Sequence, residues 1–152
     1  MRPFPHPRIL AAGLGLAALV LPAVGQAQSL VAIRSHIASE NPGCEVARLE
    51  EAYRGALPGA AGHVVIAVYT VEGCGGGNNW VRQLGVFSEE GGRVVEYVQP
   101  DPPTFVVEEA RVNNTVIEVN GLGYAATDGR CCPSVRSSTR LRVEGRRVVA
   151  AN

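Results

Sequence analysis

Lysine is missing altogether: all 14 basic residues are arginine. The glycine-rich stretch at residues 73–77 (GCGGG) therefore has no Gly-Lys-Ser/Thr ending. No helix-like pattern follows it, so it does not read as a phosphate loop. It reads instead as a mobile loop held at Cys74. Charge is sparse, at 18% of residues, and 14 acidic side chains cancel the arginines to a net charge of +0. No general attraction to nucleic acid or to an acidic membrane follows from that balance. There is no GxSxG elbow, so Ser134, Ser137 and Ser138 carry no hydrolase signature. There is no CxxC pair, and only His36 and His63 lie beyond the N-terminal segment, so no metal-ligand spacing stands out and no cofactor is implied.

The rest of the composition is that of one domain: 152 residues, 46% of them hydrophobic. The N-terminus reads as a secretory leader. Arg2 and Arg8 form a basic start, and the uncharged run Ile9–Leu21 is too short for an ordinary spanning helix. Pro22 breaks the run. Gly25 and Ala27 then supply the small residues expected before a cut after Ala27. No Arg-Arg pair suggests the twin-arginine route, and no cysteine near the cut offers a lipid anchor. The expected organisation is a signal peptide over 1–27 and a single secreted domain over 28–152, in the periplasm or outside the cell. No later apolar run is long enough to span a membrane.

Residues 29–57 read as two helices. Leu30, Ile33 and Ile37 share one face, as do Val46, Leu49 and Tyr53, and Asn41-Pro42-Gly43 divides the two. From His63 the period changes. His63–Val71 (HVVIAVYTV) is β-branched and nearly all apolar, which predicts the central, most buried strand. Further strands are expected at Trp80–Phe87, Arg93–Gln99, Thr104–Val107, Thr115–Asn120, Ser137–Val143 and Arg146–Val149, separated by Gly, Pro and Asn turns. The predicted fold class is α+β: N-terminal helices packed on a curved antiparallel sheet of six to seven short strands.

Four cysteines, Cys44, Cys74, Cys131 and Cys132, argue for disulfides in an exported chain, and four allow three pairings. The adjacent pair lies in residues 128–134 (DGRCCPS). On an extended chain the two would face opposite ways and take separate partners; otherwise they close a vicinal ring. Such a ring is the one route to a thiol-redox role, with Arg130 the only basic neighbour. His63 opens an apolar strand and reads as a packed histidine. The acid pairs Glu50/Glu51, Glu89/Glu90 and Glu108/Glu109 read as solvated neighbours. Arg136, Arg140 and Arg142 share one face of a predicted strand, with Arg146 and Arg147 on the return. They form either an anion or partner patch or a charged, solubilising edge.

DGRCCPS followed by the closing hairpin STRLRVEGRRVV resembles the C-terminal signature of the LppP/LprE-like family of bacterial exported proteins. HVVIAVYTV, the glycine-rich loop, LGVF (residues 84–87) and TVIEVNGLGY fit the same pattern, over roughly residues 60–150. Many members are lipoproteins; this chain lacks the lipobox cysteine. The resemblance implies an exported location and no reaction. Because CCPS is the shared unit, it also implies that Cys131 and Cys132 pair with each other, which leaves Cys44–Cys74. In the rival pattern Cys44 and Cys74 each bond one member of the adjacent pair. The function expected is a non-catalytic binding domain whose partner is an envelope protein or a small ligand. The alternatives are a small thiol-redox protein or enzyme using Cys131 and Cys132, and an inhibitor presenting the glycine-rich loop.

Export is directly testable. Mass spectrometry of the protein recovered from the envelope should give an N-terminus at Gln28, and a start at Met1 would refute the leader.

Overall fold

The computed structural model describes residues 23–129 and 131–151, with side chains from Ser29 onward. Most of the expected leader, and Arg130, lie outside them. One helix and eight strands are present: α1 (Ala23–Glu40), β1 (Glu45–Ala56), β2 (His63–Glu72), β3 (Trp80–Glu90), β4 (Arg93–Glu96), β5 (Val106–Asn113), β6 (Val116–Gly123), β7 (Val135–Glu144) and β8 (Arg147–Ala150). The strands form two four-stranded antiparallel meanders, β1-β2-β3-β4 and β5-β6-β7-β8. The protein is therefore mostly β, with a single helix and two sheets. That corrects the expected α+β arrangement of two helices on one sheet of six to seven strands.

The missing helix is β1, and its misreading has a physical cause. The β1–β2 register shifts at Ala47 and again at Ala52. Each shift inserts an extra residue, so side chains three apart return to the same face. Val46 and Leu49 thereby face α1 at a spacing that imitates a helical turn, while Tyr53 falls on the opposite face. The single sheet becomes two because Pro100, Pro102 and Pro103 supply no ladder donors, and the chain leaves the first sheet there.

β2 lies inside its sheet and is buried on both sides. Val64, Ile66 and Val68, with Leu84 and Val86 of β3, face the second sheet, where they meet Val107, Ile117, Val119 and Leu141. Val65, Ala67, Tyr69 and Val71 face α1, which lays down Ile33 and Ile37, one turn apart and fully buried. α1 stops at Asn41, whose main-chain and side-chain amides both donate to the Ile37 carbonyl (3.1 and 2.8 Å). Pro42 and Gly43 (φ 79°) then turn the chain into β1. The Arg34 guanidinium donates to the Val46 carbonyl, tying helix to strand. Gly91 and Gly92, at φ 57° and 79°, make the β3–β4 turn, a backbone that L side chains resist.

Cys44 and Cys74 form a disulfide, Cα–Cα 4.2 Å, across a separation of 30 residues. It fastens the start of β1 to the loop after β2, and in the chain-entropy picture it is worth about 3–4 kcal/mol. The sheets are also tied by Arg82. Its guanidinium donates to the Val107 carbonyl (2.9 Å), the Glu108 carbonyl (3.4 Å), Thr70 Oγ1 (3.2 Å) and the Glu50 carboxylate. The Arg82 hydrogen bond, ahead of its charge, holds the Glu50 carboxyl below the usual range, against a smaller cost of burial. At the other side, Val98 N–H donates to the Arg146 carbonyl (3.0 Å) and Val148 N–H to the Val98 carbonyl (2.9 Å).

Arg82→Ala should cost about 2–3 kcal/mol, because it strands carbonyls and a hydroxyl between the sheets. Glu50→Ala removes a carboxylate that is 42% exposed and should cost less than about 1 kcal/mol. Urea unfolding of the two variants checks the ordering.

Candidate functional site

Strand β4 is only four residues long and covers β3 over Phe87–Glu90 alone. Beyond it β3 continues towards Trp80 with no strand at its side. Along this open edge lies a cleft of about 400 Å³, walled by Tyr69, Gln83, Glu96, Gln99, Pro102 and Pro103.

Four elements bring polar groups to it. Gln83 Nε2 donates to the Tyr69 hydroxyl (2.5 Å), which reaches the Glu96 carboxylate (3.5 Å). His36 on α1 sets its Nε2 3.7 Å from the other Glu96 oxygen and its ring edge-on to Phe87. The antiparallel register puts Tyr69 opposite Gln83 and Glu96 opposite Phe87, so all three polar groups fall on the helix-covered face. Burial, and then the adjacent Glu96 charge, push the Tyr69 hydroxyl up to about 12. Burial also raises the Glu96 carboxyl, with Glu40 adding repulsion; His36 and the Tyr69 hydrogen bond oppose the shift. Three side-chain atoms are buried without a hydrogen-bond partner among the described residues: His36 Nε2, Gln99 Oε1 and the hydroxyl of Tyr97, whose ring packs in the core between the sheets. Unpaired buried polar atoms are uncommon and costly.

A second cleft, of about 430 Å³, lies between α1 and the far end of the first sheet, where His63, Arg54 and Glu89 meet Ser29 and Ile33. Here His63 is exposed rather than packed.

The residues singled out from the sequence are dispersed. Cys44–Cys74 lies at the start of β1. Cys131 and Cys132 are bonded to each other in an exposed loop, Cα–Cα 3.8 Å. That loop is closed by Asp128, which accepts from the Ala125 N–H (2.7 Å), the Ser134 N–H (3.0 Å) and the Ser134 hydroxyl (2.9 Å). These bonds, the Ala125 N–H foremost, hold the Asp128 carboxyl below its ordinary value. The first and last residues of DGRCCPS thus act as a clamp. Arg136, Arg140, Arg142 and Arg147 share the outer face of the second sheet, opposite Leu141 and Val143. Acids interleave with them: Glu118 lies across from Arg140, and Glu144 pairs with Arg142 (2.7 Å). Arg146 leaves that face and pairs with Glu90 of the first sheet.

The Tyr69–Gln83–Glu96 cluster went unnoticed in the sequence. Its one visible trace is Glu96 within the apolar run at residues 94–98 (VVEYV), just before the proline-rich break. Among the described residues no group of three or more His, Cys, Asp or Glu could hold a metal ion, and no helix is long and apolar enough to cross a membrane. Comparison with protein-family models, curated proteins and solved structures finds no match for this chain.

The raised Glu96 value predicts a pH dependence. The folded state holds this proton more tightly than the unfolded chain, whose glutamate titrates near about 4.3. Stability from this group is present below that value and is lost as pH rises through the higher folded value. Glu96→Gln keeps a group that can bond Tyr69 and removes the titration. It should flatten that decline and be more stable than the parent at pH 7, as read by urea unfolding at a series of pH values.

Proposed function

We propose that this chain is an exported, non-catalytic binding domain of the bacterial cell envelope. Residues 1–27 act as its leader, the LppP/LprE-like proteins are its kin, and an envelope protein or small ligand is its partner. The observation that carries the reading is the cleft on the open β3 edge, walled by the polar side chains of Tyr69, Gln83, Glu96 and Gln99. Two disulfides suit an oxidising compartment. No serine, threonine or cysteine side chain bonds a histidine side chain among the described residues, so nothing described pairs a nucleophile with a base.

The rival reading uses the Cys131–Cys132 bond for thiol exchange, favoured by its exposure. Against it, no histidine stands near the pair in sequence to activate a thiolate, and Arg130 is its one basic sequence neighbour.

Two measurements decide between them. Thermal-shift screening of peptides and sugars should find compounds that stabilise the parent and not Gln99→Leu. Thiol trapping of the native protein in glutathione buffers should label no cysteine. Reversible labelling of Cys131 and Cys132, with no cleft-dependent stabilisation, would establish the redox reading instead.

A further inference from the structure

The backbone of β3 carries more information about the cleft's occupant than its side chains do. The Val86 carbonyl accepts the Tyr97 N–H (2.8 Å) and the Leu84 carbonyl accepts Gln99 Nε2 (2.8 Å), so both point away from β2. Alternation along an antiparallel strand gives Arg82 the same direction. The N–H and C=O groups of Arg82 and Leu84 therefore point away from β2, with Leu84 lining the cleft, and β3 pairs with no strand on that side.

The chain next to this edge cannot fill it. Val98 commits both its main-chain groups to β8. Pro100, Pro102 and Pro103, which follow, have no N–H to give. What reaches back is the Gln99 side chain. Its Nε2 donates to the Leu84 carbonyl as a strand N–H would, while its Oε1 stays buried without a partner. The Gln99 amide stands where one peptide group of a further strand would stand, and it leaves an acceptor vacant.

We infer that the open β3 edge from Arg82 to Leu84 binds an extended peptide of a partner protein, which adds a strand beside β4 and turns a basic side chain towards Glu96. This rests on the binding-domain reading and names the ligand of the same cleft. Main-chain pairing supplies affinity in strand addition, and pockets for alternate side chains supply selectivity. Here the side chains that a docked strand would meet on the helix-covered face are Tyr69, Gln83 and Glu96. Glu40 lies near Glu96 and Asp101 lies in the bordering loop, so the rim is mainly acidic, with His36 its one basic group. The Arg82 guanidinium is committed to Glu50 and β5. Acceptors and negative charge call for a donor-rich, cationic segment.

The test is selection of linear dodecapeptides from a display library on the disulfide-intact protein, followed by amide hydrogen exchange on the complexes. The selected peptides should alternate Arg or Lys with β-branched residues. They should slow exchange at the Arg82 and Leu84 amides by about tenfold or more. Methylating alternate peptide nitrogens should weaken binding by about tenfold or more, because a strand without N–H donors cannot pair with the edge. That control leaves the protein unchanged; Gln99→Leu and Tyr97→Phe, each checked for an unaltered fold, then place the contact in the cleft. Selected peptides that leave Arg82 and Leu84 unprotected, or that tolerate methylation, overturn strand addition. If glucose, trehalose or N-acetylglucosamine shifts the Tyr97 and Gln99 signals and no peptide does, the cleft takes a carbohydrate: the peptide inference falls and the binding-domain reading stands. If neither class acts at the cleft, both fall.

Discussion

Strand β2 is apolar on both faces and so needs two covers. Val64, Ile66 and Val68 demand one apolar surface, and Val65, Ala67, Tyr69 and Val71 demand another on the opposite side. The rest of the fold supplies them. The second sheet closes the first face, and α1 closes the second with Ile33 and Ile37. The helix is also secured by the Cys44–Cys74 bond just beyond its end, the Arg34–Val46 contact and the Asn41 cap. Apolar burial sets the layering here, and a few directional bonds fix its alignment.

Polar groups cluster where that layering is incomplete. Arg82 sits between the sheets at the edge of the core, where β5 carbonyls would otherwise lack donors. The Tyr69–Gln83–Glu96 cluster sits where α1 ends and β4 has run out. The three prolines after Gln99 shorten the fourth strand and so expose the edge of the third. The candidate site is thus a consequence of a local failure of sheet pairing.

What could be read from the chain follows from how local each signal is. Ile33 and Ile37 mark a helical face, and residues 63–71 mark a doubly buried strand, because each needs only its own neighbours. The alternation of Arg140 and Arg142 with Leu141 and Val143 places those arginines on one face, as the structure does. β1 was hidden because the insertions at Ala47 and Ala52 reset its phase. The division into two sheets was hidden because no residue spacing reports which strands stack. The cleft needed α1, β2 and β3 to meet β4 before Glu96 had its neighbours, and its contacts His36 and Tyr69 come from far earlier in the chain. Within DGRCCPS the cysteines drew attention, whereas Asp128 and Ser134 do the closing.

Each sheet is built from one unbroken stretch of chain, residues 45–96 for the first and 106–150 for the second, and within each every strand pairs with its immediate neighbours in sequence. A chain threaded across a membrane from its N-terminus would therefore deliver a complete first meander, with its helix and its disulfide, before any of the second. Such pairings are short-range and quick to form. The cost is timing: until the later segment arrives, Val64, Ile66, Val68, Leu84 and Val86 form an uncovered apolar surface, the kind of face on which nascent chains associate. The contacts of Val98 with β8 need that last segment, so they belong to the final stage of assembly. In such a passage, the rate at which the C-terminal third followed the N-terminal part would set how long the half-built molecule is exposed to its neighbours.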